Sequence, residues 1–346
     1  MVTIKDVAKR AGVSPATASR VAGNYGYVSA EKRQKVLKAI TELGYKPNRI
    51  ARSMVTKSTQ TVGLVVTDIQ NPFFAQLARG VEDLIWEHGY TLILANTDEN
   101  LQRENAILTS LQEKMVDGLI LVPASSRYSP TRKAVLDQGI PMVLLDRASD
   151  GLEVDTVLVD NKQGAYTAVS HLIELGHQRI GMIVDNLDIT TNEERLAGYR
   201  SALMDHNLQI EENLIQSCQF TQQSAYTIAS EMLRRPDRPS AIFTAYNLIS
   251  IGTLIAIREN GLRIPEDISI VGFDDVDWNQ LISPKLTAIA QPVYDMGKVA
   301  GERLISRLKG DASPALEIRL KTKFILRDSS GPVRLLATPE DELVIR

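Results

Sequence analysis

The feature that most constrains the fold is a pair of short helical patterns near the start of the chain, joined by a turn of three to four residues that contains Gly12. Thr3 and Asp6 stand three residues apart, which is the spacing of a capping box that starts a helix. Gly12 is placed to adopt the left-handed backbone that ends a helix, and Ser14 and Pro15 then cap and begin a second one. Two helices joined by so short a turn predict a helix-turn-helix, a unit that lays its second helix in the DNA major groove.

The charge of the chain is divided unevenly along its length. Residues 1–58 contain 12 Lys or Arg and 3 Asp or Glu, a net charge of +9, whereas the whole chain carries −3. Residues 59–346 therefore carry −12. A small basic segment beside a larger acidic one favours a DNA-binding module attached to a domain of another kind. The alternative is a solvated basic bundle that has no partner.

A third helix completes the predicted head, residues 1–46. Ser29 is expected to cap this helix and Gly44 to end it. In the next segment, 47–60, Asn48 can cap a short helix that has too few apolar residues to be stable alone, so we expect it to form only against a partner. The apolar stripe predicted to be buried on the third helix comprises Val36, Leu37, Ile40 and Leu43.

Beyond Thr61, short apolar runs alternate with amphipathic helical stretches, which is typical of an α/β protein with parallel sheets covered on both faces. About a dozen strands in two series are too many for one sheet, so we expect two doubly wound lobes. Ligands of such sheets bind beyond the carboxyl ends of the strands. The loops at those ends begin at Asp68, Asp146, Asp185, Tyr246 and Asp274.

Length and composition exclude several other classes of protein. No apolar run reaches the roughly 18 residues that span a bilayer, and the basic N-terminus lacks the apolar stretch of a signal peptide, so we expect a cytoplasmic protein. The single cysteine, Cys218, excludes an intrachain disulfide and a thiolate metal cluster, and we interpret it as a small buried apolar residue. Neither a Gly-rich phosphate loop nor a catalytic motif occurs, so we expect no cofactor, no metal and no enzymatic activity.

Short motifs spread over nearly the whole chain, residues 2–327, occur together. They are Ile4-Lys5-Asp6-Val7-Ala8, Val13-Ser14, Thr17, Ser19-Arg20-Val21, Gly44-Tyr45, Pro47-Asn48, Leu175-Gly176-His177, Gly272-Phe273-Asp274-Asp275 and Gln291-Pro292. In combination they resemble the lactose/galactose repressor (LacI/GalR) family of bacterial transcription regulators. The resemblance implies a helix-turn-helix head and a hinge helix, followed by a two-lobed core, residues 61–328, similar to periplasmic sugar-binding proteins. It places the first lobe at 61–160 plus 290–326 and the second at 161–289, leaving 329–346 as a tail of unknown role.

On the DNA side, the resemblance implies that the start of the second helix reads bases. Arg20 suits guanine, because its guanidinium matches two acceptors on the major-groove edge. Met54 stands where the family has a leucine that wedges into the minor groove, and methionine can serve as such a wedge; the alternative is that Met54 only packs a linker. A paired hinge helix implies a homodimer on a palindromic site. The implied base contacts are Pro15, Ala16 and Arg20, and Ser14, Thr17 and Ser19 are implied to contact phosphates. Asn48 and Met54 are the implied DNA contacts of the hinge segment.

On the ligand side, the resemblance implies a site whose chemistry suits a polyol. Carboxylates accept from hydroxyls, guanidinium groups donate to them, and flat rings cover the apolar face of a sugar. One position departs from the family, which has Asn-Asp or Gly-Asp where this chain has Tyr246-Asn247, so the bound molecule is expected to be smaller or differently oriented. The implied contacts are Asn71, Phe73, Phe74, Asp146, Arg147, Arg195, Phe220, Tyr246, Asp274 and Gln291.

Several of these residues have a structural alternative. Phe73 and Phe74 can belong to the core, Asp146 and Arg147 can form a structural ion pair, and Asp274 can cap the following turn. Asp160 and Trp278 are as consistent with structure as with binding.

The leading functional interpretation is a repressor whose operator affinity depends on a small carbohydrate. A purine or nucleoside corepressor, or a protein co-effector, remains the alternative within the family. A transport-type solute-binding protein would have a signal peptide and no basic head. A sugar-processing enzyme could use the carboxylates Asp274 and Asp275, but all four histidines fall in helices or at helix ends, away from the implied site.

Overall fold

The computed structural model describes residues 2–23, 25–45 and 58–333. These residues divide into two units. The first runs to Thr61 and includes Met115–Asp117, and the second holds the rest of the described chain.

The first unit contains three helices, α1 (Ile4–Ala11), α2 (Pro15–Gly23) and α3 (Ala30–Leu43). The predicted capping box is confirmed, since the backbone N–H of Thr3 donates to the Asp6 carboxylate at 2.8 Å and the N–H of Asp6 donates to the Thr3 hydroxyl at 3.4 Å. Gly12 ends α1 with a φ of 65°. The hydroxyl of Ser14 accepts from the N–H of Thr17 at 3.2 Å and so caps α2. The helix-turn-helix therefore follows from local chemistry alone.

The small core of these three helices differs from the predicted stripe at one position. Val36, Ile40 and Leu43 pack inward as expected, but Leu37 is 48% exposed and Ala39 is buried instead. Leu37 lies about 100° around the helix from Val36, away from the stripe that faces α1 and α2. Ser29 stands at the start of α3 without a side-chain hydrogen bond, so the predicted cap is not formed.

The second unit is built on two six-stranded sheets, which confirms the predicted pair of α/β lobes. The first sheet has the order β11-β5-β4-β3-β1-β2 and the second the order β12-β10-β9-β8-β6-β7. The strands of the first sheet are β1 (Thr61–Val66), β2 (Thr91–Asn96), β3 (Gly118–Leu121), β4 (Met142–Leu145), β5 (Asp155–Val159) and β11 (Glu317–Leu320). Those of the second are β6 (Ile180–Val184), β7 (Ile215–Ser217), β8 (Ala241–Thr244), β9 (Ser269–Phe273), β10 (Thr287–Ala290) and β12 (Lys323–Ile325).

Helices cover the sheets and connect the strands. They are α4 (Pro72–Glu87), α5 (Leu101–Glu113), α6 (Pro130–Asp137), α7 (Asn161–Glu174), α8 (Thr190–Asp205), α9 (Gln222–Arg234), α10 (Asn247–Glu259) and α11 (Val293–Leu308). Helices α4 and α11 pack backbone against backbone, because a Cβ on Gly80 would lie only 2.1 Å from the carbonyl oxygen of Tyr294. No helix of the described residues is both long and apolar enough to cross a bilayer.

The C-terminal part of the chain requires two corrections. Strand β11 returns to the first sheet beside β5, but β12 pairs antiparallel with β10 in the second sheet, so the segment 290–326 does not all belong to the first lobe. The predicted tail begins inside the second lobe, where Ser329 is buried and its hydroxyl accepts from the N–H of Thr287 at 2.8 Å. The N–H of Val333 donates to the carbonyl of Leu175 at 3.0 Å. Residues 329–333 are therefore part of the fold, and 334–346 lie outside the described residues.

Candidate functional site

A cavity of about 440 Å³ opens between the two lobes, at the carboxyl ends of strands from both sheets. The structure brings all ten residues of the predicted ligand site into its lining, although they are separated by up to 220 positions along the chain (from Asn71 to Gln291). They are Asn71, Phe73, Phe74, Asp146, Arg147, Arg195, Phe220, Tyr246, Asp274 and Gln291.

Two of the carboxylates stand where buried strands end. Asp146 follows β4 and Asp274 follows β9, and both have a left-handed backbone, with φ of 67° and 78°. Aspartate tolerates this conformation better than most residues, and such strain is concentrated at functional sites. Burial raises the pKa of Asp146 to about 6 and also raises the pKa of Asp274. A ligand that donates hydrogen bonds to these two carboxylates would therefore stabilise their ionised form.

Asp274 is held by two polar groups, one at the start of α10 and one directly after β10. The Gln291 amide donates to one carboxylate oxygen at 2.6 Å, and the backbone N–H of Asn247 donates to the other at 3.2 Å. The side chain of Asp274 is thus fixed at the start of α10 and does not cap the turn that follows it. Gln291 Oε1 is buried without a hydrogen-bond partner among the described residues, so it remains able to accept from a ligand.

Arg147 is held mainly by a residue that the sequence did not single out. Its two terminal nitrogens donate to both oxygens of Glu99, at 2.6 and 2.8 Å, and one also donates to the carbonyl of Pro123 at 3.1 Å. The Arg147 Nε lies 3.5 Å from Asp146 and, among the described residues, has no hydrogen-bond partner. Glu99 follows the end of β2, so the strand-end rule that selected Asp68 and Asp146 could also have found it.

Arg195 is fixed by the second lobe. Its Nε donates to the side-chain oxygen of Asn161 at 2.9 Å, and a terminal nitrogen donates to the carbonyl of Ala245 at 2.6 Å. Its guanidinium carbon lies 3.8 Å from the centre of the Phe273 ring, a stacked arrangement. Burial lowers the pKa of Arg195. The side chain is therefore preorganised, with its orientation set before any ligand binds.

Aromatic rings form the apolar part of the lining. Phe73 and Phe74 meet edge to face with centroids 5.0 Å apart, and both also belong to the core of the first lobe. On the opposite side, the Phe220 and Tyr246 centroids lie 6.4 Å apart. The Tyr246 hydroxyl donates to the buried Asp185 carboxylate at 3.3 Å, which holds the ring in the cavity wall.

A reciprocal pair of side-chain hydrogen bonds joins the lobes inside the cavity, in addition to the contacts of Ser126 with Thr190 at its edge. The side-chain amide of Asn71 donates to Asn247 at 3.2 Å, and the amide of Asn247 donates back to Asn71 at 2.8 Å. Asn71 also caps α4 by accepting from the N–H of Phe73 at 3.0 Å, whereas Asn247 is the first residue of α10. The bridge therefore ties the start of a helix in one lobe to the start of a helix in the other.

Three residues left open by the sequence have structural roles. Asp160 caps α7 by accepting from the N–H of Gln163 at 3.1 Å. Trp278 packs against the core of the second lobe and is not part of the cavity lining. Asp275 forms a bidentate ion pair with Arg327, at 2.7 and 2.8 Å.

Six of the predicted DNA contacts lie just before α2 and within its first two turns. Ser14, Pro15, Ala16 and Arg20 are exposed. Thr17 and Ser19 are half-buried. The Ser19 hydroxyl lies 2.8 Å from that of Tyr25, a bond that leaves it less free for phosphate than the sequence suggested. Asn48 and Met54 lie outside the described residues.

No group of three or more His, Cys, Asp or Glu within the described ranges has an arrangement that would hold a metal ion.

Comparisons with known proteins identify both parts of the chain. The family model of bacterial regulatory proteins, lacI family, matches residues 3–48, and a periplasmic binding protein-like domain matches residues 169–330. The HTH-type transcriptional repressor PurR of Aliivibrio salmonicida is 37% identical over 309 residues, covering 89% of this chain and 93% of the relative. The ribose operon repressor of Haemophilus influenzae is 36% identical over 329 residues, covering 95% and 98%. The crystal structure of the lac repressor dimer bound to operator and the anti-inducer ONPF superposes with a TM-score of 0.82 at 27% identity, covering 95% and 99%.

Proposed function

Because this chain belongs to the lacI family of bacterial regulatory proteins, we propose that it is a transcriptional repressor whose operator affinity is set by a small carbohydrate held between its two lobes. The repressor class rests on the family, whose similar members are repressors and not enzymes. The carbohydrate is supported by the chemistry of the cleft.

The observation that carries the carbohydrate is the combination of fixed acceptors and donors in one cavity. Asp146 and Asp274 offer carboxylate acceptors, and Gln291 Oε1 and Arg147 Nε are buried without partners among the described residues. Phe73 and Phe74 supply the apolar wall. The hydroxyls of a polyol can donate to the acceptors and accept from the donor, while its C–H face covers the aromatic rings. The cavity volume of about 440 Å³ lies toward the lower end of typical ligand sites and suits a molecule of monosaccharide size.

On the DNA side, the exposed start of α2 is proposed to read operator bases, with Arg20 as the residue best suited to guanine. The lac repressor binds its operator as a dimer. We extend this arrangement to the present chain as a homodimer on a palindromic operator, with no membrane partner and with its site of action in the cytoplasm, where bacterial DNA lies. Asn48 and Met54 remain proposed contacts of the hinge segment.

A purine effector is the second candidate. The PurR repressor, 37% identical, is about as similar to this chain as the ribose operon repressor, 36% identical, so sequence similarity does not single out ribose. Phe220 and Tyr246 supply two rings on one side of the cavity against which a base could stack. A protein co-effector is a third possibility within the family, and no contact described above favours it.

The test is thermal unfolding of the full chain against pentoses, hexoses, their phosphates, disaccharides and purines. A ligand at about 100 times its dissociation constant adds roughly 2.7 kcal/mol of stability, which gives a measurable shift in melting temperature. We expect a monosaccharide to give this shift and Asp274→Asn to abolish it, because the neutral amide presents an N–H where the hydroxyl donates. Asp150→Asn, which changes an exposed carboxylate outside the lining, is the matched control. A shift with purines alone would replace the carbohydrate by the second candidate.

A further inference from the structure

The lining of the cleft has an excess of negative charge. It contains five carboxylates and two guanidinium groups, which gives −3 when all are ionised. The acids are Asp68, Asp98, Glu99, Asp146 and Asp274, and the cations are Arg147 and Arg195. Arg103, outside the lining, pairs with Asp98, which leaves the cleft negative even when that cation is counted.

The arginine nearest to the acids is not available to bind an anion. Both terminal nitrogens of Arg147 are engaged by Glu99, and both side chains are nearly buried, 7% and 13% exposed. A bidentate pair of this kind occupies the edge of the guanidinium, with its two terminal N–H donors, that a phosphate would need. Only Nε of Arg147 points elsewhere, and it lies 3.5 Å from Asp146.

The second arginine is committed at two of its three nitrogens. Arg195 Nε donates to Asn161 and Nη1 to the carbonyl of Ala245, and its guanidinium plane is covered by Phe273. The carboxyl groups of Asp274 and Asp146 stabilise its charge. Neither arginine therefore offers the two parallel terminal donors with which a phosphate site holds its ligand.

We propose that Glu99 is a specificity-determining residue, which makes this cleft accept an uncharged polyol and reject the phosphorylated form of the same molecule. The inference rests on the proposed function, since it names the charge class of the effector for that site. Glu99 acts in two ways, by occupying Arg147 and by adding its own charge to the lining. A sugar phosphate would bring about two negative charges into a site with limited solvent screening.

The first test compares matched pairs on the unmodified full chain: D-ribose with ribose 5-phosphate, glucose with glucose 6-phosphate, and inosine with inosine 5′-monophosphate. Dissociation constants come from calorimetry, after thermal shifts have selected the pair that binds. We expect the neutral member to bind at least about tenfold more tightly, since like charges a few ångströms apart in a partly buried site repel by more than one tenfold step in affinity.

The second test separates charge from size. Glu99→Gln keeps the shape of the side chain, removes one negative charge and frees Arg147, so the ratio of phosphate to neutral affinity should rise about tenfold or more. Glu113→Gln, at the exposed end of α5, is the matched control and should leave the ratio unchanged. If Glu99→Gln does not fold, Glu99→Met, which also removes the charge at similar size, replaces it, and equal binding of the phosphate by the unmodified chain still overturns the proposal.

The outcomes distinguish the two proposals. Equal or tighter binding of a sugar phosphate overturns the role of Glu99 and leaves the carbohydrate effector in place. An unchanged ratio in Glu99→Gln also overturns it, because exclusion by size would then explain the preference. Binding of inosine without binding of a sugar overturns the carbohydrate effector and leaves the exclusion of phosphate by Glu99 in place. A preference for inosine 5′-monophosphate overturns both proposals. The absence of a response to these pairs and to every compound of the wider sugar and purine panel contradicts both proposals.

Discussion

A buried ion pair between α5 and α6 of the first lobe allows a specific prediction of the free energy of unfolding. Glu104 and Arg132 are both fully buried, and the two oxygens of Glu104 accept from Arg132 at 2.6 and 2.9 Å. Glu104 also accepts from the N–H of Ala124 at 2.7 Å, and Arg132 donates to the carbonyl of Ser125 and the hydroxyl of Ser149, each at 2.8 Å. The pair therefore fixes the loop that follows β3 in the first lobe.

The perturbation is Glu104→Gln, which preserves the shape of the side chain and removes its charge. Breaking a buried pair leaves the other charge uncompensated and costs about 3–5 kcal/mol, far more than an exposed pair contributes. The control is Asp137→Asn, which breaks the exposed pair with Lys133 on α6 and should cost no more than about 0.5 kcal/mol.

The assay is urea unfolding, followed by circular dichroism and tryptophan fluorescence so that separate transitions of the two lobes are detected. A double variant, Glu104→Met with Arg132→Met, should lose less than the sum of the single variants, because no charge remains buried. A loss below about 1 kcal/mol for Glu104→Gln would refute the reasoning, since it would mean that water or another group compensates Arg132.

Three further predictions concern the cleft and the head. Burial raises the pKa of Asp146 to about 6, and sugar hydroxyls donate to the ionised form, so calorimetry should show sugar affinity falling as pH drops from about 7 to about 5; a constant affinity would contradict this. Asn247→Ala combined with Ser126→Ala removes both bonds of the bridge to Asn71 and the side-chain bonds of Ser126 to Thr190, at a cost of about 1–3 kcal/mol per site to the closed arrangement, and X-ray scattering should show a larger radius of gyration without ligand; an unchanged radius would contradict this. Arg20→Ala should weaken operator binding by about 1–3 kcal/mol in fluorescence anisotropy, and an equal loss on every DNA sequence would show a phosphate contact instead.

The sequence predicts most of the fold because the signals concerned are local. Caps such as Thr3 and turn glycines such as Gly12 act within a few residues, and buried strands form continuous apolar runs such as Leu119–Leu121 within β3. Strands β7, β11 and β12 are short and partly exposed and lie at the edges of the sheets, so no continuous apolar run marks them in the sequence. They pair with residues far along the chain, as Ile325 does with Ala288, and the local alternation of apolar and polar residues does not indicate such a pairing.

The site was predictable to the extent that strand ends converge and the family resemblance names their residues. The resemblance did not indicate how those residues pair. Arg147 pairs with Glu99 and not with Asp146, the partner that the sequence suggested, because two hydrogen bonds to Glu99 outweigh a single contact at 3.5 Å. The bridge between Asn71 and Asn247 joins residues 176 positions apart, and only the folded arrangement of the lobes places their amides within reach.

The most direct test of the account is the operator affinity of the full chain with and without the sugar that stabilises it. The operator is first selected by the protein from random double-stranded DNA, and its dissociation constant is then measured by fluorescence anisotropy across a titration of that sugar. We predict that saturating sugar changes the operator dissociation constant by about 5–150-fold, and that operator DNA changes the dissociation constant of the sugar by the same factor. An operator affinity that stays the same at saturating sugar would contradict it, since the cleft would then bind a ligand that does not control the DNA-binding head.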